Sequence, residues 1–179
     1  GIPMHTARRL LVLSAVLLPA LVAVPAAPAA DILVPQDAAT IQAGIDLAAD
    51  GDRVLVAPGT YPERIDFTGK AIILEATGGP EATIIDGGGE EVGAGHTVTI
   101  AGSGADGAVL RGFTITGGFG SSGSFGAGEG GGILVTGAAP LIEDCRITDN
   151  RGIDGAGLEV RGGDVRVVAS VFEANAGFV

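Results

Sequence analysis

The chain has no tryptophan, one cysteine, one tyrosine and aromatic residues at only 4% of its 179 positions. With Cys145 as its sole cysteine it can form no internal disulfide, so its stability must come from packing and backbone hydrogen bonding. Bases are scarce as well: 10 Lys and Arg against 21 Asp and Glu leave a formal net charge of −11 and no basic patch. Binding nucleic-acid phosphates calls for clustered Lys and Arg, so a nucleic-acid partner is excluded. The only histidines are His5 and His96, which leaves Cys145 without an evident basic partner for thiol catalysis. Its expected role is that of a small apolar residue in a packed interior.

What is abundant is glycine, 32 residues of it, within a chain that is 46% hydrophobic. That composition is too apolar for disorder and too interrupted by glycine for a helical bundle. Many short strands separated by turns fit it, and at this length one domain is the natural reading.

The first thirty residues stand apart. Arg8-Arg9 precedes an apolar run from Leu10 to Val24, and Ala27-Pro28-Ala29 places small residues on both sides of a cleavage position. This is the pattern of a secretory signal peptide over residues 1–30, with Gly1 to Pro3 an extraneous start ahead of Met4. Pro19 and Pro25 hold the run below the about 20 apolar residues that a membrane span needs. The remaining chain, residues 31–179, is therefore expected to lack a transmembrane helix and to be secreted or held at the cell surface.

An internal repeat organises that part. Residues 130–150 align without a gap on residues 155–175, at an offset of 25, with identities at Gly130/Gly155, Gly132/Gly157, Val135/Val160, Gly137/Gly162 and Asn150/Asn175. Elsewhere the character is kept: Ile133 meets Leu158, Ile142 meets Val167, Cys145 meets Ser170 and Ile147 meets Phe172. An offset of 32 brings Leu110, Phe113 and Ile115 onto Ile142, Cys145 and Ile147, the extra length falling in the Gly/Ser-rich loop from Gly117 to Gly132. Periods of about 20 to 50 residues mark stacked units that cannot bury an apolar face alone. These residues are expected to form ladders down an interior, with Asn150 and Asn175 as a hydrogen-bonded asparagine ladder.

The same alignment stacks outward positions. Arg111 falls near Glu143, Thr114 near Arg146 and Val171, and Thr116 near Thr148 and Glu173, so Arg111 and Glu143 are expected to form an exposed ion pair. Upstream, Ile41, Ile45, Ala48 and Ala49 share one helical face, with Asp37 or Thr40 as N-cap and Gly51 just past the end. From Arg53 onward short apolar runs closed by Gly, Pro or Asp predict strands without crossover helices, which can lie parallel only if the chain coils.

The segment from "ATIQAGIDLAADGDRVLVAPGTYPERIDFTGKAIILEA" to "TIIDGGG" resembles the opening of right-handed parallel β-helix proteins of the pectin-lyase-like class. "GGGI", "GAGL" and "FEAN" resemble the GGA(I/L/V) and FxxN repeats of polymorphic outer membrane proteins, from which "ITDN" departs by having Ile for Phe. The resemblance implies an all-β fold, a right-handed parallel β-helix solenoid with a short N-terminal capping α-helix. By the same resemblance Tyr61 closes a turn after the first full strand. No capping element follows "FEANAGFV", so the natural protein is expected to continue past Val179.

Such folds carry enzymes and plain binding proteins alike. The lyases among them use acidic side chains to hold calcium and an Arg or Lys as base. The matching residues here are Asp144, Asp149 and Asp154 as calcium ligands and Arg146 or Arg151 as base. Turn positions, which favour Asp in any case, are the preferred explanation of those acids. A hydrolase needs convergent carboxylates, and residues 97–179 hold no Asp-Asp or Gly-Asp-Asp cluster. Nothing matches the nucleophile segment of pectinesterases, and the "GAGEGGG" run lacks the Lys-Ser/Thr of a phosphate loop. The favoured expectation is an exported adhesin-like binding module for a polysaccharide or cell-surface ligand, with no assured cofactor; the alternative is a calcium-assisted polysaccharide lyase acting on acidic polysaccharide.

Overall fold

A computed structural model describes residues 28–89, 95–120, 131–153 and 155–177. The fold is predominantly β with one α-helix, and every pairing between its strands is parallel. The first sheet runs through Asp31–Val34, Arg53–Val56, Ile73–Ala76, Val109–Arg111, Leu141–Glu143 and Arg166–Val168. The second holds Ile65–Asp66, Val98–Ala101, Ile133–Ala138 and Leu158–Gly163. The third holds Gly59–Tyr61, Thr83–Asp86, Thr114–Thr116, Arg146–Thr148 and Val171–Glu173, and Arg151–Gly152 pairs separately with Ala176–Gly177. Each sheet takes one strand from each successive repeat, an arrangement compatible with a solenoid.

The register follows the sequence offsets. Ile133 pairs with Leu158, Val135 with Val160, Ile142 with both Leu110 and Val167, and Ile147 with both Ile115 and Phe172. Because side chains alternate faces with period two, correct pairing at one position fixes the whole row. Leu110, Phe113, Ile115, Ile133, Val135, Ile142 and Ile147 are fully buried.

Turns repeat with the strands. Gly112, Asp144 and Ala169 take positive φ of 79°, 50° and 50°, and Gly117, Asp149 and Ala174 take 68°, 54° and 52°. Both sets follow the 32- and 25-residue offsets. A left-handed backbone at these corners is tolerated best by Gly and next by Asp or Asn, which accounts for Gly112, Gly117, Asp144 and Asp149, whereas Ala169 and Ala174 hold it at a cost.

The helix spans Ile41–Leu47, with Thr40 as its N-cap accepting from the Ala43 amide at 3.1 Å. Its ends are tied to a later repeat. The Glu63 carboxylate accepts from the Ile41 and Gln42 amides at 2.9 and 3.0 Å, and the Lys70 ammonium donates to the Ile45 and Asp46 carbonyls at 2.8 and 3.0 Å. Ile41, Ile45 and Ala48 are buried as the periodicity predicts, but Ala49 is exposed and Gly44 is buried in its place. The helix also stops earlier than Gly51 suggests. Asp52 accepts from the Ala49 amide at 2.8 Å and returns its own amide to the Ala49 carbonyl, a turn that competes with another helical residue. A side chain at Gly44 would place its Cβ 2.9 Å from Val54, so only glycine lets the helix lie this close to the first sheet. Tyr61 packs against the core and donates its hydroxyl to the Ala57 carbonyl at 2.8 Å.

Candidate functional site

The corner between the first and third sheets carries the groove in which two of the sequence-predicted residues meet. Asp144, Cys145 and Arg146 form one wall, Ala169, Val171 and Glu173 the next, and Pro80 and Glu81 the far rim, around about 330 Å³ of open space. The rim is pinned by Thr114, whose hydroxyl donates to the Pro80 carbonyl at 2.7 Å. Arg146 is the centre of the polar network. Its guanidinium bonds Glu173 through Nε and NH2 and approaches Glu81 at 3.5 Å through NH1. A guanidinium held between two carboxylates is a positioned donor with its charge already balanced, and taking up a further anion means displacing one of them.

The remaining candidates lie elsewhere. Asp149 occupies its left-handed corner and accepts from the Thr148 hydroxyl at 3.0 Å. Arg151 opens the strand Arg151–Gly152, its amide bonded to the Gly118 carbonyl at 2.9 Å and its carbonyl to the Gly120 amide at 2.7 Å. Asp154 lies outside the described residues, as do the signal segment through residue 27 and the glycine run at 126–130. Among the described residues no group of three or more His, Cys, Asp or Glu side chains is placed to hold a metal ion.

Cys145 forms the buried floor of the groove. Burial, partly offset by neighbouring backbone amides, pushes its thiol up to about 11, and its Sγ contacts the Glu143 carbonyl at 3.2 Å. A thiol so held stays protonated at neutral pH and is no nucleophile. Beyond the groove, Arg111 bonds Glu143 at 2.8 Å as the repeat predicts, and also reaches Glu75 at 3.6 Å. Glu75, Arg111 and Glu143 thus alternate in charge along one outer row of the first sheet, between Leu55 and Val168.

Sequence reasoning missed Glu81 and Glu173 as partners of Arg146. Glu173 follows from the register, since Thr148 pairs with it one repeat on. Glu81 lies 65 residues from Arg146 in a turn that no repeat matches, so no periodic signal could reveal it. No protein-family model matches the chain, and no curated protein matches it.

Proposed function

We propose that the chain is an exported right-handed parallel β-helix protein of the pectin-lyase-like kind, working at the cell surface or in the medium as an adhesin-like binding module for glycans. Right-handedness rests on the general rule for crossovers between parallel strands. Export rests on the leader pattern of residues 1–30. The observation that carries the binding role is the groove at Arg146, where charged donors and acceptors are held on rigid, register-locked strands and line an open surface. Sugar hydroxyls are met by such a set without rearrangement of the backbone.

The test is a glycan array followed by calorimetry on each hit. Binding that Arg146→Ala weakens by at least about tenfold supports the reading, on the scale of one lost charged hydrogen bond. An array without hits, or hits indifferent to Arg146→Ala and Glu81→Ala, rejects it.

A calcium-assisted lyase is the second reading, favoured by the meeting of Asp144 and Arg146 in one groove. Elimination from a uronic polymer leaves an unsaturated product, so incubation with polygalacturonate or alginate and calcium reports it as rising ultraviolet absorbance. A flat trace with both polymers removes this reading.

A further inference from the structure

Ile84, Thr114, Arg146 and Val171 form one outward row of the third sheet, on strands that pair in that order. The turn ahead of Ile84 folds outward over this row. Its Pro80 carbonyl accepts from the Thr114 hydroxyl at 2.7 Å, and Glu81 reaches Arg146 one strand further on. The root of the turn is fixed as well. The Thr77 amide and hydroxyl donate to the Val56 carbonyl at 2.8 and 3.0 Å, and the Ala82 and Thr83 amides return to the Gly79 carbonyl at 3.2 and 3.1 Å. Thr114 and Arg146 sit on strands paired on both sides, so this part of the groove lies inside the stack.

Stability does not account for the contact this turn delivers. Glu81 and Arg146 are 3.5 Å apart with side chains 83% and 42% exposed, and an ion pair so long and so open adds little to folding. What it changes is the charge that a ligand meets. Glu81, Asp144 and Glu173 set three carboxylates around the one guanidinium of Arg146, which Glu173 already holds from the other side. The groove is therefore net negative although an arginine stands at its centre. A carboxylate moving toward Arg146 has to enter against Glu81, whereas a hydroxyl finds both a donor and acceptors there.

We propose, resting on the glycan-binding reading of this groove, that Glu81 determines its specificity and that the ligand is a glycan without carboxylate or sulfate groups. Thr114 is a positioning residue, which touches no ligand and holds the Glu81 turn over Arg146. Uronic polymers are the sugars that this arrangement turns away.

Charge selection at Arg146 can be read without knowing the glycan. Phenylglyoxal and p-carboxyphenylglyoxal modify guanidinium groups alike but differ by a negative charge, and peptide mass spectrometry gives the rate at each arginine of the full chain. In calcium-free buffer at low salt, Arg146 is expected to prefer the neutral reagent by about tenfold more than N-acetylarginine does, the scale of a field focused in a charged cleft. Glu81→Gln is expected to remove most of that preference. Thr114→Val should weaken it in the same direction, and Thr114→Ser, which keeps the hydroxyl, should restore it. The glycans captured on the array are expected to be neutral, with Glu81→Gln raising affinity for the matching uronic chain. An Arg146 that reacts like N-acetylarginine, a preference unchanged in Glu81→Gln, or array hits that are mainly acidic overturns the proposal and leaves the binding reading standing. An array without hits removes the binding reading and the ligand assignment with it.

Discussion

Asn150 and Asn175 stand one above the other at the same corner of successive repeats, the Asn150 Nδ2 donating to the Asn175 Oδ1 at 3.0 Å. Asn150 Oδ1 accepts from the Gly118 amide of the preceding repeat at 2.9 Å, while Asn175 Oδ1 accepts from the Asn150 amide at 3.1 Å. Asn150 Nδ2 also reaches the Ile115 and Thr148 carbonyls, each at 3.0 Å. One side chain therefore satisfies backbone groups of two corners. Replacing Asn150 with Ala or Leu leaves those groups buried without partners, and we expect a loss of about 2–3 kcal/mol in a chemical melt. A change below about 0.5 kcal/mol would mean that water replaces the amide fully.

Ile147 and Arg146 are sequence neighbours on opposite faces of one strand. Ile147→Asp puts a charge into the apolar interior and is expected to cost at least about 3 kcal/mol or prevent folding. Arg146→Ala removes exposed ion pairs, its side chain being 42% exposed, and is expected to cost only about 0.2–1 kcal/mol. Thermal melts of the two variants compare them directly, and equal losses would invalidate the inward and outward assignment.

Ala174 holds a φ of 52°, a backbone state that costs an L-residue about 1–2 kcal/mol and glycine almost nothing. Glycine also loses more entropy on folding, so Ala174→Gly is expected to gain about 0.5–1 kcal/mol net. Asp149→Val, a β-branched residue at the matching corner, is expected to lose stability. Opposite signs in paired denaturant curves verify the corner geometry.

His96 is half-buried near Arg64, Glu159 and Arg161, and this burial lowers its pKa, with Glu159 opposing the shift and the two arginines adding to it. The unfolded chain then binds a proton more readily than the folded one near and below pH 6.5, so stability falls as pH drops through that value. Tm measured at successive pH values from 7.5 down to 5.5 is expected to decline, and the decline should flatten in His96→Gln. An unchanged slope in that variant would assign the effect to other groups.

Much of the architecture is legible before any coordinates. Gly132 and Gly157, Ile147 and Phe172, Asn150 and Asn175 recur at one spacing because each repeat must present the same face to its neighbour, and burial at Ile142 and Ile147 follows from that spacing. The Arg111–Glu143 pair was readable for the same reason. The helix boundary was not. A competing turn made by Asp52 ends it, and local side-chain bonding of that kind carries no period. The candidate acids divide likewise: Asp144 enters the groove while Asp149 stays at its own corner, and both are accounted for by left-handed turns.

The repeat, the pairing register and the inward side of each strand are all written in the residue order, since a period of two within strands and 25 or 32 between them leaves one consistent way to bury the apolar residues. The meeting of Glu81 with Arg146, the tying of the helix by Glu63 and Lys70, and the half-buried place of His96 come from the folded chain alone. Those contacts join segments that share no repeat. Their geometry depends on how the turns are laid over the stacked strands, and composition and spacing carry no trace of it.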